Sequence, residues 1–177
     1  GDCAELMAPR PGRRPIEAIW YTGRMMGQTL AHTICRSPLA YDPGIWYNSA
    51  KFFNIEYQVY GDIPAQLPDS TDTLYWQHPL SKKSIRINFN KADQVVTGFN
   101  LMGIRYRHEV CEKWIHTNTR IEEVLQNLSL ANFDPEFFDE YEHNLIEQFQ
   151  RTTGNKLALK SQRKLDQVTR FLNKKIS

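Results

Sequence analysis

Ser84-Ile85-Arg86-Ile87-Asn88-Phe89-Asn90, with Gln94-Val95-Val96-Thr97-Gly98-Phe99-Asn100-Leu101-Met102-Gly103 after it, sets the architecture of this chain. Ile85, Ile87 and Phe89 alternate with polar residues, so they share one face of a strand. A short polar connection leads to the second strand, as in an antiparallel meander. After Gly103 the apolar period changes from 2 to 3.6, and Tyr106, Val110, Trp114 and Ile115 outline a helix. Upstream, Phe53, Ile55, Tyr57 and Val59 alternate, and Thr73–His78 reads as a further strand. The expectation is therefore an α+β chain. Its antiparallel sheet has four to five strands, over 52–60, 73–78, 84–90 and 94–102, with helices from 105 onward on one face.

Downstream, Thr119-Arg120-Ile121-Glu122 has the spacing of a capping box ahead of Val124, Leu125 and Leu128. Asp134-Pro135 reads as an N-cap and first helical residue, with Phe138, Tyr141, Leu145 and Phe149 as the apolar stripe. Leu165, Val168 and Leu172 point to a last amphipathic helix. At the other end, Pro15 suits a first helical turn, followed by Ile16, Ile19, Trp20, Met26, Leu30 and Ile34 at helical spacing. Gly23, Gly27 and Ala31 fall four apart on this helix. A glycine costs about 1 kcal/mol in a helix interior, so two of them imply close approach by another backbone or a flat ligand. Gly1-Asp2-Cys3-Ala4 reads as the end of one domain and the beginning of the next.

Composition narrows the classes. Aromatic residues make up 12% of the 177 residues, too many for a disordered chain. No apolar run reaches the ~18 residues of a membrane span. Cys3, Cys35 and Cys111 are odd in number and include no C-x-x-C pair. They argue for small hydrophobes in a reducing, cytoplasmic setting and against a disulfide framework or metal site. The net charge of +2 hides an asymmetry: residues 151–177 carry eight Lys/Arg against the single acid Asp166. That basic tail can dock an acidic protein, touch an anionic surface, or be a solvated helix. Phe171 is its only aromatic residue, which disfavours nucleic acid. Arg105, Arg107 and His108 read as a solvated or salt-bridged helix start. His32, His78, His116 and His143 have no partners at the spacing of a hydrolase triad or a metal site.

The order of these features resembles the C-terminal part of the FAD-dependent pyridine nucleotide oxidoreductases, within the ferredoxin reductase and apoptosis-inducing-factor subgroup. Three stretches carry the likeness: Gly1-Asp2-Cys3-Ala4; Pro15-Ile16-Glu17 with Gly23-Arg24-Met25-Met26-Gly27; and Pro43-Gly44-Ile45-Trp46-Tyr47-Asn48-Ser49. Gln94 to Gly103 adds to it, and the resemblance extends to about Phe149. It implies that Asp2 binds the ribityl chain of FAD. It also implies that the helix start at Ile16 and Glu17 faces the flavin pyrimidine edge, and that Trp46 and Tyr47 flank the ring. Residues 1–45 would end an FAD-binding domain, 46–150 would form the interface or dimerisation domain, and 151–177 a basic helical tail.

The chain departs from the disulfide reductases of that family at Asn132-Phe133-Asp134-Pro135-Glu136, which lacks their histidine. This favours electron transfer from NAD(P)H through FAD to an acceptor over thiol–disulfide chemistry. The glycine fingerprints of the FAD and NAD sites are absent, so FAD and activity are expected of a longer protein and not of this chain alone. The expected partners are the FAD and NAD domains of that protein, a second copy of this chain, or an acidic electron acceptor. A non-catalytic dimerisation or interaction module is the alternative. With no Rossmann sheet to cover it, residues 1–35 are expected to be poorly satisfied in isolation, and the apolar face of the helix after Pro15 must find a substitute in the sheet of this chain or in a second copy of it.

Overall fold

The computed structural model describes residues 1–10, 13–133, 139–160, 168 and 171–173. They fall into two compact units, Gly1–Asn48 and Ser49–Ser177. In the first unit, α1 spans Trp20–Ile34. It starts about one turn after the expected position at Pro15. Residues 13–19 are instead tied down by other bonds. Leu6 N–H donates to the Pro15 carbonyl (2.8 Å), and Arg13 Nε donates to Glu17 Oε1 (2.5 Å). Arg10 pairs with Asp42 at 2.8 Å. Thr22 is the one buried residue of α1. Trp20, Leu30 and Ile34 lie exposed along it, so among the described residues the apolar stripe of α1 has found no substitute cover.

The sheet has strand order β1-β2-β5-β4-β3, built from β1 (Tyr47–Phe52), β2 (Ile55–Gly61), β3 (Thr71–Gln77), β4 (Ser84–Asn90) and β5 (Val96–Met102). The β2–β5, β5–β4 and β4–β3 pairs are antiparallel. The α+β class and the helix-covered antiparallel sheet are thus as the periodicity indicated. The strand expected over 52–60 begins at Ile55, because Phe53-Asn54 turn the chain back on β1. The alternation of Phe53, Ile55, Tyr57 and Val59 begins within that turn, so the pattern did not separate the turn from the strand.

Register explains the core. Tyr60, Phe99, Ile87 and Leu74 lie in one row across the sheet, and Gln58, Leu101, Ile85 and Trp76 in the next. Phe99, Leu101, Ile85 and Ile87 are fully buried. Helix α2 (His108–His116) lies across β2 and β5, and α4 (Glu142–Thr153) lies beside β3. Trp114 of α2 meets the Phe99 ring at 6.0 Å. On the opposite side of the sheet, Gly98 is crossed closely by the main chain of Asp62, whose N–H donates to the Thr97 carbonyl (2.8 Å).

Three local expectations are corrected. Tyr106 is buried but precedes α2, bridging to Asn132 as a short ladder. Thr119 does not cap α3 (Ile121–Gln126), which has Arg120 at its N-cap and no side-chain cap. The Ile121 N–H that begins the helix donates to the Gln94 carbonyl at 2.8 Å, and Val96 N–H donates to the Thr119 carbonyl at 2.9 Å. Pairing with the start of β5 replaces the capping box. The helix expected from Asp134-Pro135 begins at Glu142, after Tyr141. Asp134, Pro135 and Phe138 lie outside the described residues. Leu145 and Phe149 are buried as the stripe required.

Of the expected last helix, Leu165 lies outside the described residues, while Val168 and Phe171–Asn173 are helical. There Lys113 Nζ donates to the carbonyls of Phe171 (2.5 Å) and Leu172 (3.1 Å).

Candidate functional site

The start of α1 and the chain terminus build an open cleft of about 500 Å³, lined by Gly1, Asp2, Ala18, Ile19, Trp20, Gly23 and Arg24. Local sequence explains its shape. A Cβ on Gly23 would lie 3.6 Å from the Gly1 Cα, an ordinary van der Waals contact, so the Gly1-Asp2 backbone lies beside the helix without requiring glycine there. The close approach inferred from the small-residue strip is therefore not met at Gly23. Around Gly27 nothing lies within 4 Å. Gly1 N also donates to Met26 Sδ at 2.9 Å. Ile19, the N-cap of α1, supplies no side-chain acceptor, and no acidic residue occupies the first turn. An uncapped helix start carries partial positive charge and free N–H groups, which favour an oxygen-rich or anionic ligand.

The charges in the cleft are mixed. Asp2 is exposed, and the Arg24 guanidinium stands 5.6 Å from the centre of the Trp20 ring. Trp20 meets Tyr21 edge to face at 5.2 Å, and Tyr21 meets Tyr47 at 4.8 Å. An aromatic run thus leads from the cleft to the beginning of β1. Chemically the site offers a carboxylate for hydroxyl donors, a cation, an exposed indole wall and an uncapped helix start.

The residues singled out from the sequence fall differently. Asp2 lines the cleft. Tyr47 joins it through Tyr21 and Trp20, and Trp46 is half-buried at the same strand start. Ile16 lies exposed before the helix and outside the cleft lining. Glu17 is buried against Arg13, whose Nη1 also reaches the Gly44 carbonyl at 3.4 Å. That pair anchors the segment entering α1. The helix expected from Pro15 begins at Trp20, so Ile16 and Glu17 precede it. Trp20 and Arg24 line the cleft and were not singled out from the sequence; Trp20 was counted in an apolar stripe.

Other candidates resolve as structural. Arg105 Nε donates to Glu56 Oε1 (2.7 Å), and Arg107 Nη1 donates to the Asn132 carbonyl. His108 and His116 both face Glu112 along α2, at 3.5 and 3.9 Å. Among the described residues no group of three His, Cys, Asp or Glu is placed to hold a metal. Cys111 is buried as expected, and burial pushes its thiol pKa well up, with Glu109 adding to the shift. Cys3 and Cys35 are exposed, so of the three cysteines read as small hydrophobes only Cys111 packs in the core.

No protein-family model matches the chain, and no curated protein matches it. Among solved structures it is similar to an NAD-dependent persulfide reductase from A. fulgidus, with a TM-score of 0.62 and 17% identity. The match covers 87% of this chain and 31% of the reductase chain. At that identity the likeness is one of fold. This chain spans about a third of the reductase's length and shares the architecture of that part. Among the described residues no helix is long and apolar enough to cross a membrane.

Proposed function

We propose that this chain is the C-terminal part of an FAD-dependent NAD(P)H oxidoreductase that passes electrons from a nicotinamide through flavin to an acceptor. One observation carries the reading: Gly1-Asp2 and the uncapped start of α1 line the same cleft, beside the exposed indole of Trp20. The likeness of fold to a segment of a nicotinamide-dependent reductase supports it. So do the resemblances at Gly1-Asp2 and Pro43 to Ser49.

The residues present suit part of an FAD site. The Asp2 carboxylate accepts hydrogen bonds from the ribityl hydroxyls. The α1 start donates toward carbonyl oxygens of the pyrimidine edge and stabilises negative charge there. Trp20, with Tyr21 and Tyr47 behind it, supplies a flat apolar wall. When bound, FAD supplies two-electron acceptance and onward release. Nothing in this sequence cradles a pyrophosphate, a task that needs a glycine-rich turn before a helix. The FAD and NAD domains of a longer protein complete the site in this reading, with residues 1–45 ending the FAD domain and 46–150 forming the interface domain.

Two measurements test it. The 177-residue chain should be colourless and without NAD(P)H turnover, whereas the longer protein is yellow. In that protein Asp2→Ala should weaken FAD retention by about 1.5–3 kcal/mol, the worth of a hydrogen bond to a charged group. Micromolar FAD binding by this chain alone, or undiminished FAD affinity in the variant, would overturn the assignment.

A further inference from the structure

We infer that one end of the sheet is a docking surface for an anionic lipid bilayer, made by two hairpin tips that act together. Register places them. Tyr57, Met102, Ser84 and Gln77 form the last row of paired residues at that end. The Phe53-Asn54 turn between β1 and β2 and the 78–83 turn between β3 and β4 both lie beyond this row. Three strand spacings separate them, about 14 Å.

Each tip projects apolar side chains into solvent. Phe53 is 101% exposed, Phe52 62% and Leu80 91%. Phe52 stacks on Tyr57 with ring centroids 5.9 Å apart, which stiffens the first tip. Phe53 has φ 53°, at a position where two-residue hairpin turns favour glycine or asparagine. A bulky residue held there costs local stability.

The flanking charge selects the partner. Lys51 and Lys82 are exposed, and among the described residues neither has an ion-pair partner. Among the described residues Glu56 is engaged by Arg105 at 2.7 Å and Asp139 by Lys83 at 3.1 Å. Lys51 and Lys82 thus stand unpaired beside the apolar tips. A protein partner needs a continuous complementary patch of about 800 Å² on each side. A bilayer interface takes up aromatic and aliphatic side chains one at a time, and anionic headgroups attract the lysines.

The test uses the full 177-residue chain and phosphatidylcholine vesicles with and without phosphatidylglycerol, read by co-sedimentation. Partitioning onto the anionic vesicles is expected, weakening with salt. Replacing Phe53 and Leu80 together by serine should lower it about tenfold or more, as loss of apolar insertion requires. Phe53→Gly should also weaken it while thermal stability holds or rises, separating binding from folding. Absence of partitioning onto anionic vesicles would overturn the proposal. So would partitioning that survives the double substitution, since the basic residues of 151–177 would then account for it.

Discussion

Replacing Gly98 by alanine isolates a constraint that no local rule supplies. Gly98 sits mid-strand in β5, opposite Asn88 on one side and Gly61 on the other. A Cβ there would lie 2.5 Å from the Asp62 carbonyl oxygen and 2.9 Å from its carbonyl carbon and nitrogen. All three atoms are backbone, so the loop after β2 must move. Overpacking of this kind costs about 1–3 kcal/mol. Moving Asp62 also weakens its N–H bond to the Thr97 carbonyl, worth about 1 kcal/mol. Alanine recovers roughly 0.4–1 kcal/mol by restricting the unfolded chain. The net loss is about 1–3.5 kcal/mol. It is read as a lower urea midpoint at unchanged slope, followed by amide resonances of β4 and β5. Gly27→Ala is the control. Its Cβ meets nothing within 4 Å, so the helix should gain about 0.5–1 kcal/mol, followed by amide resonances of α1. A Gly98→Ala protein with an unchanged midpoint would refute the close crossing by Asp62.

The cysteines give a second prediction. Cys3 and Cys35 should react with a thiol reagent in the native protein and Cys111 only after unfolding, as their exposure dictates. Burial raises the Cys111 pKa, so the unfolded chain loses this proton first as pH rises. Stability should therefore fall from about pH 8.5 upward, by at most about 1.4 kcal/mol per pH unit from this thiol, and Cys111→Ala should flatten that fall. A third prediction concerns the buried pair at the entrance to α1. Glu17→Ala leaves Arg13 buried without its carboxylate and should cost about 3–5 kcal/mol, read in the unfolding of residues 1–48. A variant of wild-type stability would show that the pair is not an anchor.

Periodicity alone was enough to place β3, β4 and β5 to within about two residues and to mark the change to helix after Gly103. Those segments bury one face, and burial of one face imposes the period directly. Asp2 was singled out through its place in a Gly-Asp pair, and it lines the cleft. The turn at Phe53-Asn54 was hidden because its residues keep the alternation of a strand while reversing its direction. Thr119 has the spacing of a cap, yet its helix is closed by carbonyl and amide groups of Gln94 and Val96, remote partners that spacing cannot encode. The start of α1 was misplaced for a related reason. Pro15 permits a helix, but its carbonyl accepts from the Leu6 N–H of a separate segment, and the helix begins only at Trp20. Propensity and period are properties of neighbours along the chain, so the sequence by itself determined the class of β2 to β5 and of α2 to α4 and the faces they bury, but neither β1 nor the burial of α1, whose apolar stripe stays exposed. Where each element begins, and which side chains gather at the cleft beside Asp2, depended on contacts between segments far apart in sequence, and these exist only once the chain has folded.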